Sequence, residues 1–288
     1  MSAIGVAALQ MGPSGTREEN LGRMSSLLRQ AAAGGAQIVC FPELSLTSYF
    51  PKEKNPPDVL RYFEDAGSPW LDQLRNLAAR LDINVIVPFA EIEGPRRYNS
   101  AVVFDRRGGL AGKYRKVHLP RGLPNSRGEI QNFEDSHFDP GDLGFPVFDL
   151  GAVRIGLQIC FDRHFPEGFR ALALSGAEIV FLPTNSPTYG RDQRRQIWRS
   201  LLQVRAYENG LFLVAAAKAG VEEGLEYIGG SAVVSPRGVF LAEAGTVGDE
   251  VVLAAADPAE VAAARQDLPL PLVRRPQLYG KLVEKSTV

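Results

Sequence analysis

An α/β fold with mixed sheets is predicted by three features of this 288-residue sequence. Short apolar runs of strand length alternate with longer stretches of helical period. Some successive runs are separated by a helix, as parallel crossovers require, while others are joined as antiparallel hairpins. No internal repeat or low-complexity linker divides the chain, so a single domain is expected over 1–288.

The elements follow in order. Ile4 to Met11 reads as a strand, Arg17 to Ala33 as a helix, and Gln37 to Phe41 as an apolar strand that runs into Pro42-Glu43. Trp70 to Leu81 is a helix and Ile83 to Ile92 a strand; Tyr98 to Leu119 is a hairpin whose second arm, from Leu110, ends in a basic cluster. Val153 to Cys160 alternates with apolar positions at 153, 155, 157 and 159, which puts Cys160 on the other face, in phase with Arg154 and Gln158. Phe161 opens what reads as a helix through Ser175, with Gly176 as its stop signal. Next come a strand at Ala177 to Pro183, a helix at Asp192 to Asn209, and strands at Leu211 to Lys218, Gly230 to Val234, Val239 to Ala244 and Val251 to Ala256. His118 to Gly144 is a loop rich in Pro and Gly, long enough to expect function or lid behaviour. Pro269, Pro271 and Pro276 make 267–288 read as an extended C-terminal arm.

Composition excludes several classes of function. With 45% hydrophobic and 23% charged residues, the chain suits a well-buried soluble domain rather than a disordered or fibrous one. A net charge of −1 attracts neither nucleic acid nor an anionic membrane. No run has the length of a membrane span, and Met1-Ser2-Ala3 leads into the first strand without a signal-like apolar region, so the expected location is cytoplasmic. His118, His137 and His164 are scattered and Cys40 and Cys160 lie far apart, so no metal site is expected. Cys40, inside an apolar strand, reads as core.

Chemistry concentrates at three strand ends. A thiol at a strand's carboxyl end, just before a helix, is placed where α/β sheets bind ligands and where a thiolate is favoured. Glu43 and Lys116 stand at two other strand ends. Each alone is an ordinary solvated charge; together with Cys160 they supply a carboxylate base, a cation and a nucleophile.

The segments Phe41-Pro42-Glu43-Leu44, Gly112-Lys113-Tyr114-Arg115-Lys116-Val117-His118-Leu119 and Ile159-Cys160-Phe161-Asp162-Arg163-His164-Phe165-Pro166-Glu167 resemble those of the nitrilase superfamily of carbon-nitrogen hydrolases. Phe138-Asp139-Pro140-Gly141-Asp142, Ala206-Tyr207-Glu208-Asn209-Gly210 and Gly229-Gly230-Ser231 extend the resemblance from Ile4 to about Tyr279. It implies a four-layer α-β-β-α sandwich and a cofactor-independent enzyme with a Glu-Lys-Cys site. Cys160 is then the nucleophile, Glu43 the base, Lys116 with the Phe161 backbone N–H the oxyanion site, and Glu134, in Asn132-Phe133-Glu134, a second glutamate supporting the lysine. The intermediate is a thioester, and the implied assembly is a homodimer or homotetramer whose arms cross the interface.

Phe41 to Pro51, Asp139 to Val147, Thr184-Asn185-Ser186-Pro187 and Val214 to Lys218 look most like the N-carbamoyl-D-amino-acid hydrolase branch, whose members give the amino acid, ammonia and carbon dioxide. Arg163, His164, His118 and Asn185 are the substrate-binding candidates. That branch tends to have two arginines after the cysteine, and here His164 replaces the second. The pair Arg163-His164 also resembles enzymes acting on N-carbamoyl-β-alanine; N-carbamoylputrescine amidohydrolase and simple aliphatic amidase are further alternatives. A Cys-His thiol hydrolase using His118 or His164 leaves Glu43 and Lys116 unexplained. A non-catalytic scaffold is expected to have lost one of the three groups, and all three are present.

Overall fold

The structure, a computed structural model, describes residues 3–65 and 67–285. Met1 and Ser2, and the last residues of the expected arm, 286–288, lie outside the described residues. One sheet contains β1 (Ile4–Gln10), β2 (Ile38–Cys40), β3 (Phe63–Glu64), β4 (Asn84–Glu93), β5 (Arg96–Phe104), β6 (Leu110–Arg115) and the late strand β15 (Glu250–Ala256). Its order is β15-β1-β2-β4-β5-β6, with β3 against β4. The other contains β7 (Val147–Asp149), β8 (Arg154–Leu157), β9 (Ile179–Thr184), β10 (Phe212–Ala217), β13 (Ala232–Val234) and β14 (Phe240–Glu243), in the order β14-β13-β10-β9-β8-β7. β11 (Ala219–Glu222) and β12 (Leu225–Ile228) make a separate hairpin.

The layers follow from side-chain alternation. Val6, Ala8, Ile38 and Ile86 of the first sheet pack against Ile155, Leu157, Phe181 and Val214 of the second, forming the central core. Ala7, Leu9, Val39 and Val85 point the opposite way, onto helices α1 (Arg17–Ala33) and α2 (Pro69–Arg80). On the far side, Val180, Leu182 and Leu213 meet α4 (Pro166–Leu174) and α5 (Gln193–Asn209). The order helix, sheet, sheet, helix is the expected sandwich, and each fully buried Val, Leu or Phe contributes ~1.5–3 kcal/mol. Helix ends have local causes: Thr16 and Glu19 form a reciprocal cap on α1, and Gly210, at φ +55°, ends α5 in the left-handed conformation that Gly adopts without penalty.

Three expectations are corrected. The cysteine strand stops at Leu157, and Cys160–His164 is a 3-10 turn, so α4 starts only at Pro166, whose missing N–H and fixed φ suit a first helical position. The long loop contains a one-turn helix, α3 (Glu134–His137). The arm is not extended: after α6 (Pro258–Asp267) it folds into α7 (Leu270–Val273) and 3-10 turns at Pro276–Leu278 and Gly280–Val283. The prolines sit in the first turns of these pieces, where they promote helical geometry instead of excluding it.

Candidate active site

Strand direction brings the predicted residues together. β2 and β4 are parallel, while β4-β5 and β5-β6 are antiparallel, so β6 runs with β2, and Glu43 and Lys116 emerge at one edge. In the facing sheet, parallel β8 and β9 deliver Cys160 and Asn185. Lys116 Nζ donates to Glu43 Oε1 at 2.7 Å and to Glu134 Oε2 at 2.5 Å, and all three residues are 1% exposed. Asn99 Nδ2 donates to Glu43 Oε1 at 2.7 Å and the Asn185 backbone N–H to Oε2 at 2.8 Å. Tyr49 Oη donates to Glu134 Oε1 at 2.8 Å. The cation between two carboxylates is thus held from several elements.

Burial works against charge, and the partners decide the outcome. Burial would lower the Lys116 ammonium, but Glu134 and then Glu43 outweigh it and raise the pKa, so the lysine stays charged. Burial raises the Glu43 carboxyl above the usual range; Lys116 opposes this, and the nearby Cys160 thiol is a lesser influence in the same lowering direction. The Cys160 thiol is pushed up to about 12 by burial and then by the Glu43 charge. The resting sulfur is held as a thiol beside Glu43.

Cys160 sits at φ +47°, a conformation that costs a non-Gly residue of order 1–3 kcal/mol and persists only where the surroundings impose it. Here Asp162 imposes it, accepting the Ile159 N–H at 2.9 Å and the Tyr114 hydroxyl at 2.8 Å. Arg163 Nη1 adds bonds to the Cys160 carbonyl at 2.8 Å and to Sγ at 3.4 Å. At the lysine, Gly141 N donates to the Lys116 carbonyl at 2.8 Å, and a Cβ on Gly141 would lie 2.1 Å from the Arg115 carbonyl oxygen. Only glycine lets the Asp139-Pro140-Gly141-Asp142 segment lie there.

A narrow cavity is lined by Cys160, Phe161, Glu134, Arg163 and Asn185. A wider hollow beside Tyr62, Trp70 and Glu223 is lined by neither cysteine nor lysine, so the smaller cavity is the chemically competent one. Arg163 is tied to Ser186 Oγ at 3.1 Å as well as to the cysteine, and forms no pair with Asp162. Asn185 Oδ1 is buried without a hydrogen-bond partner among the described residues. His118 and His164 do not line the cavity. His118 is taken up by Asp162, with Nδ1 2.8 Å from Oδ1, and stacks on Phe165; the 3-10 turn leaves His164 outward against Phe161. Loss of hydration, then Arg163, Arg194 and Arg205, push His164 down to about 3, so it stays neutral. Tyr49, Asn99 and Arg194 escaped the sequence reading; Tyr49 lies two residues before Pro51 in a family-like segment, whereas Arg194 carries no local signal.

Residues 5–266 match the profile of the carbon-nitrogen hydrolase family. The chain is 33% identical to a citrullinase of Francisella tularensis subsp. tularensis over 99% of this chain and 100% of that protein. It is 33% identical to the N-carbamoylputrescine amidase of Solanum tuberosum, over 97% and 95% of the two chains. Among solved structures, a carbon-nitrogen hydrolase from Helicobacter pylori G27 superposes with a TM-score of 0.88 at 28% identity, covering 98% of this chain and 99% of that one.

Proposed function

Because the chain belongs to the carbon-nitrogen hydrolase family, whose members act on non-peptide C–N bonds, we propose that it removes the carbamoyl group from an N-carbamoyl amino acid. The observation that carries the hydrolytic part is Lys116 bridging Glu43 and Glu134 beside the Cys160 turn. The carbamoyl part is supported by relatives named for citrulline and N-carbamoylputrescine, both of which end in a ureido group.

The geometry supports the following steps. A neutral thiol is a poor nucleophile, so Glu43 takes the Sγ proton as sulfur attacks the carbamoyl carbon. Negative charge develops on the carbonyl oxygen, where Lys116 Nζ and the Phe161 N–H receive it; one such donor is worth ~3 kcal/mol of barrier. Glu43 returns the proton to the departing nitrogen as the C–N bond breaks. Water, activated by the same carboxylate, then cleaves the carbon–sulfur bond, and the resulting carbamic acid decomposes to ammonia and carbon dioxide. Asn185 Oδ1, an unpartnered acceptor in the cavity, suits an N–H of the ureido group.

Ammonia and carbon dioxide are to be measured over N-carbamoyl-D- and L-amino acids, N-carbamoyl-β-alanine, N-carbamoylputrescine and simple amides. Equimolar carbon dioxide and ammonia from an N-carbamoyl amino acid is the expected result. Ammonia without carbon dioxide, from simple amides alone, would replace this reading with an aliphatic amidase.

A further inference from the structure

Two guanidinium groups meet at Ser186. Arg163 Nη2 donates to its hydroxyl at 3.1 Å and Arg194 Nη2 at 3.0 Å, which engages both lone pairs of that oxygen. Both arginines line the cavity that holds Cys160, and the Nε of each is buried without a hydrogen-bond partner among the described residues. Other arginines of α5 are neutralised: Arg195 by Glu226 and Arg205 by Glu208, at 2.8 and 2.9 Å. Asp162, next in sequence to Arg163, has its oxygens occupied by Tyr114, His118 and Ile159, and Glu134 is occupied by Lys116 and Tyr49.

Two like charges withdrawn from water without a counter-ion are costly, and an anion between them removes that cost. Burial and then the Arg163 charge depress the Arg194 guanidinium. We propose that Arg163 and Arg194 together form a carboxylate site, with Arg194 as the specificity-determining residue that selects ureides bearing a carboxylate and rejects those bearing an ammonium. This rests on the decarbamoylation reading and narrows it. Arg163 Nη1 is 3.4 Å from Sγ, so the carboxylate is held a short distance from the reacting carbon, as in an N-carbamoyl α- or β-amino acid. Arg194 is the cleaner probe because it does not bond to Cys160.

The test compares kcat/KM for an N-carbamoyl amino acid with that for its neutral carboxamide and for N-carbamoylputrescine. The carboxylate substrate is expected to be preferred by the wild type. In Arg194→Gln the ratio of carboxylate to neutral substrate should fall roughly tenfold to a hundredfold, chiefly through KM, the size of one lost charged hydrogen bond. Arg194→Lys should recover part of it, and Arg194→Glu should shift preference toward N-carbamoylputrescine. Without turnover, calorimetric affinity of Cys160→Ala for the carboxylate should weaken by a similar factor when Arg194→Gln is added. An unchanged ratio, or equal losses on all substrates, overturns the carboxylate site. Carbon dioxide release from neutral, cationic and anionic ureides with equal efficiency would sink it while leaving decarbamoylation intact. Release of ammonia without carbon dioxide would instead remove decarbamoylation, and the same ratio, measured on a carboxylate-bearing amide and its neutral analogue, would still decide Arg194.

Discussion

Cys160 and Glu43 are buried together, and burial with the Glu43 charge pushes the thiol up to about 12. In the proposed mechanism proton transfer accompanies attack, so both partners should be indispensable. Cys160→Ala and Cys160→Ser should fold and show no turnover, with iodoacetamide labelling Cys160 in the wild type; more than trace activity in Cys160→Ala would remove it as nucleophile. Glu43→Gln and Lys116→Ala should each lose at least about a hundredfold in kcat. His164→Asn, at a side chain outside the cavity, should leave turnover and substrate preference largely unchanged, and a dead histidine mutant beside an active Glu43→Gln would reverse the choice of base. The acid limb of the pH profile follows from the Glu43 shift. The base must be ionised and its pKa is raised, so kcat/KM should fall as pH drops through a value above the ordinary 4.5, not below it.

At the scale of elements, the site depends on segments that do not touch substrate. The Asp139-Pro140-Gly141-Asp142 turn presses on the end of β6, with Asp142 Oδ1 accepting from Arg115 Nη1 at 2.9 Å. Gly141→Ala must displace the Arg115 carbonyl and with it Lys116, so kcat should drop with little change in KM, and circular dichroism should still report a folded chain. The β11-β12 hairpin acts from the other side. Glu222 accepts the Tyr49 N–H at 3.1 Å and pairs with buried Lys218, which donates to Ser14 Oγ at 2.8 Å. Glu222→Ala leaves a buried ammonium unpaired, and chemical denaturation should show a loss of about 3–5 kcal/mol.

For the molecule as a whole, the C-terminal segment is its least self-sufficient part. Leu272 and Val283 are 85% and 87% exposed, and Leu278 and Leu282 add apolar surface next to a hollow between α4 and the tail, formed by Pro166, Ala171, Pro276 and Tyr279. We infer that a second copy of the chain covers these apolar side chains, in line with the homo-oligomer that the family resemblance implies. Sedimentation should give a dimer or larger species at micromolar concentration, and Leu272→Glu with Val283→Glu should reduce its size. A wild-type monomer would refute that expectation. Among the described residues, no helix is long and apolar enough to cross a membrane.

What the sequence determined by itself was local: alternation placed the strands, and the charged or nucleophilic residue at each strand end was visible at Glu43, Lys116 and Cys160. Asp257-Pro258 was equally legible as a helix start, with Asp257 accepting the Ala259 N–H at 2.9 Å, yet α6 was not read from it. The tail misled because proline marks both extended chain and first helical turns. Only tertiary structure decided the rest. That Cys160 occupies a left-handed turn braced from Tyr114 through Asp162, that His118 serves Asp162 instead of the thiol, and that Arg194 has no counter-ion among the described residues while its neighbour Arg195 meets Glu226 depend on segments distant in sequence. A guanidinium has the same chemistry wherever it stands in the chain; burial and the presence or absence of a carboxylate determine its role, and both are set by packing.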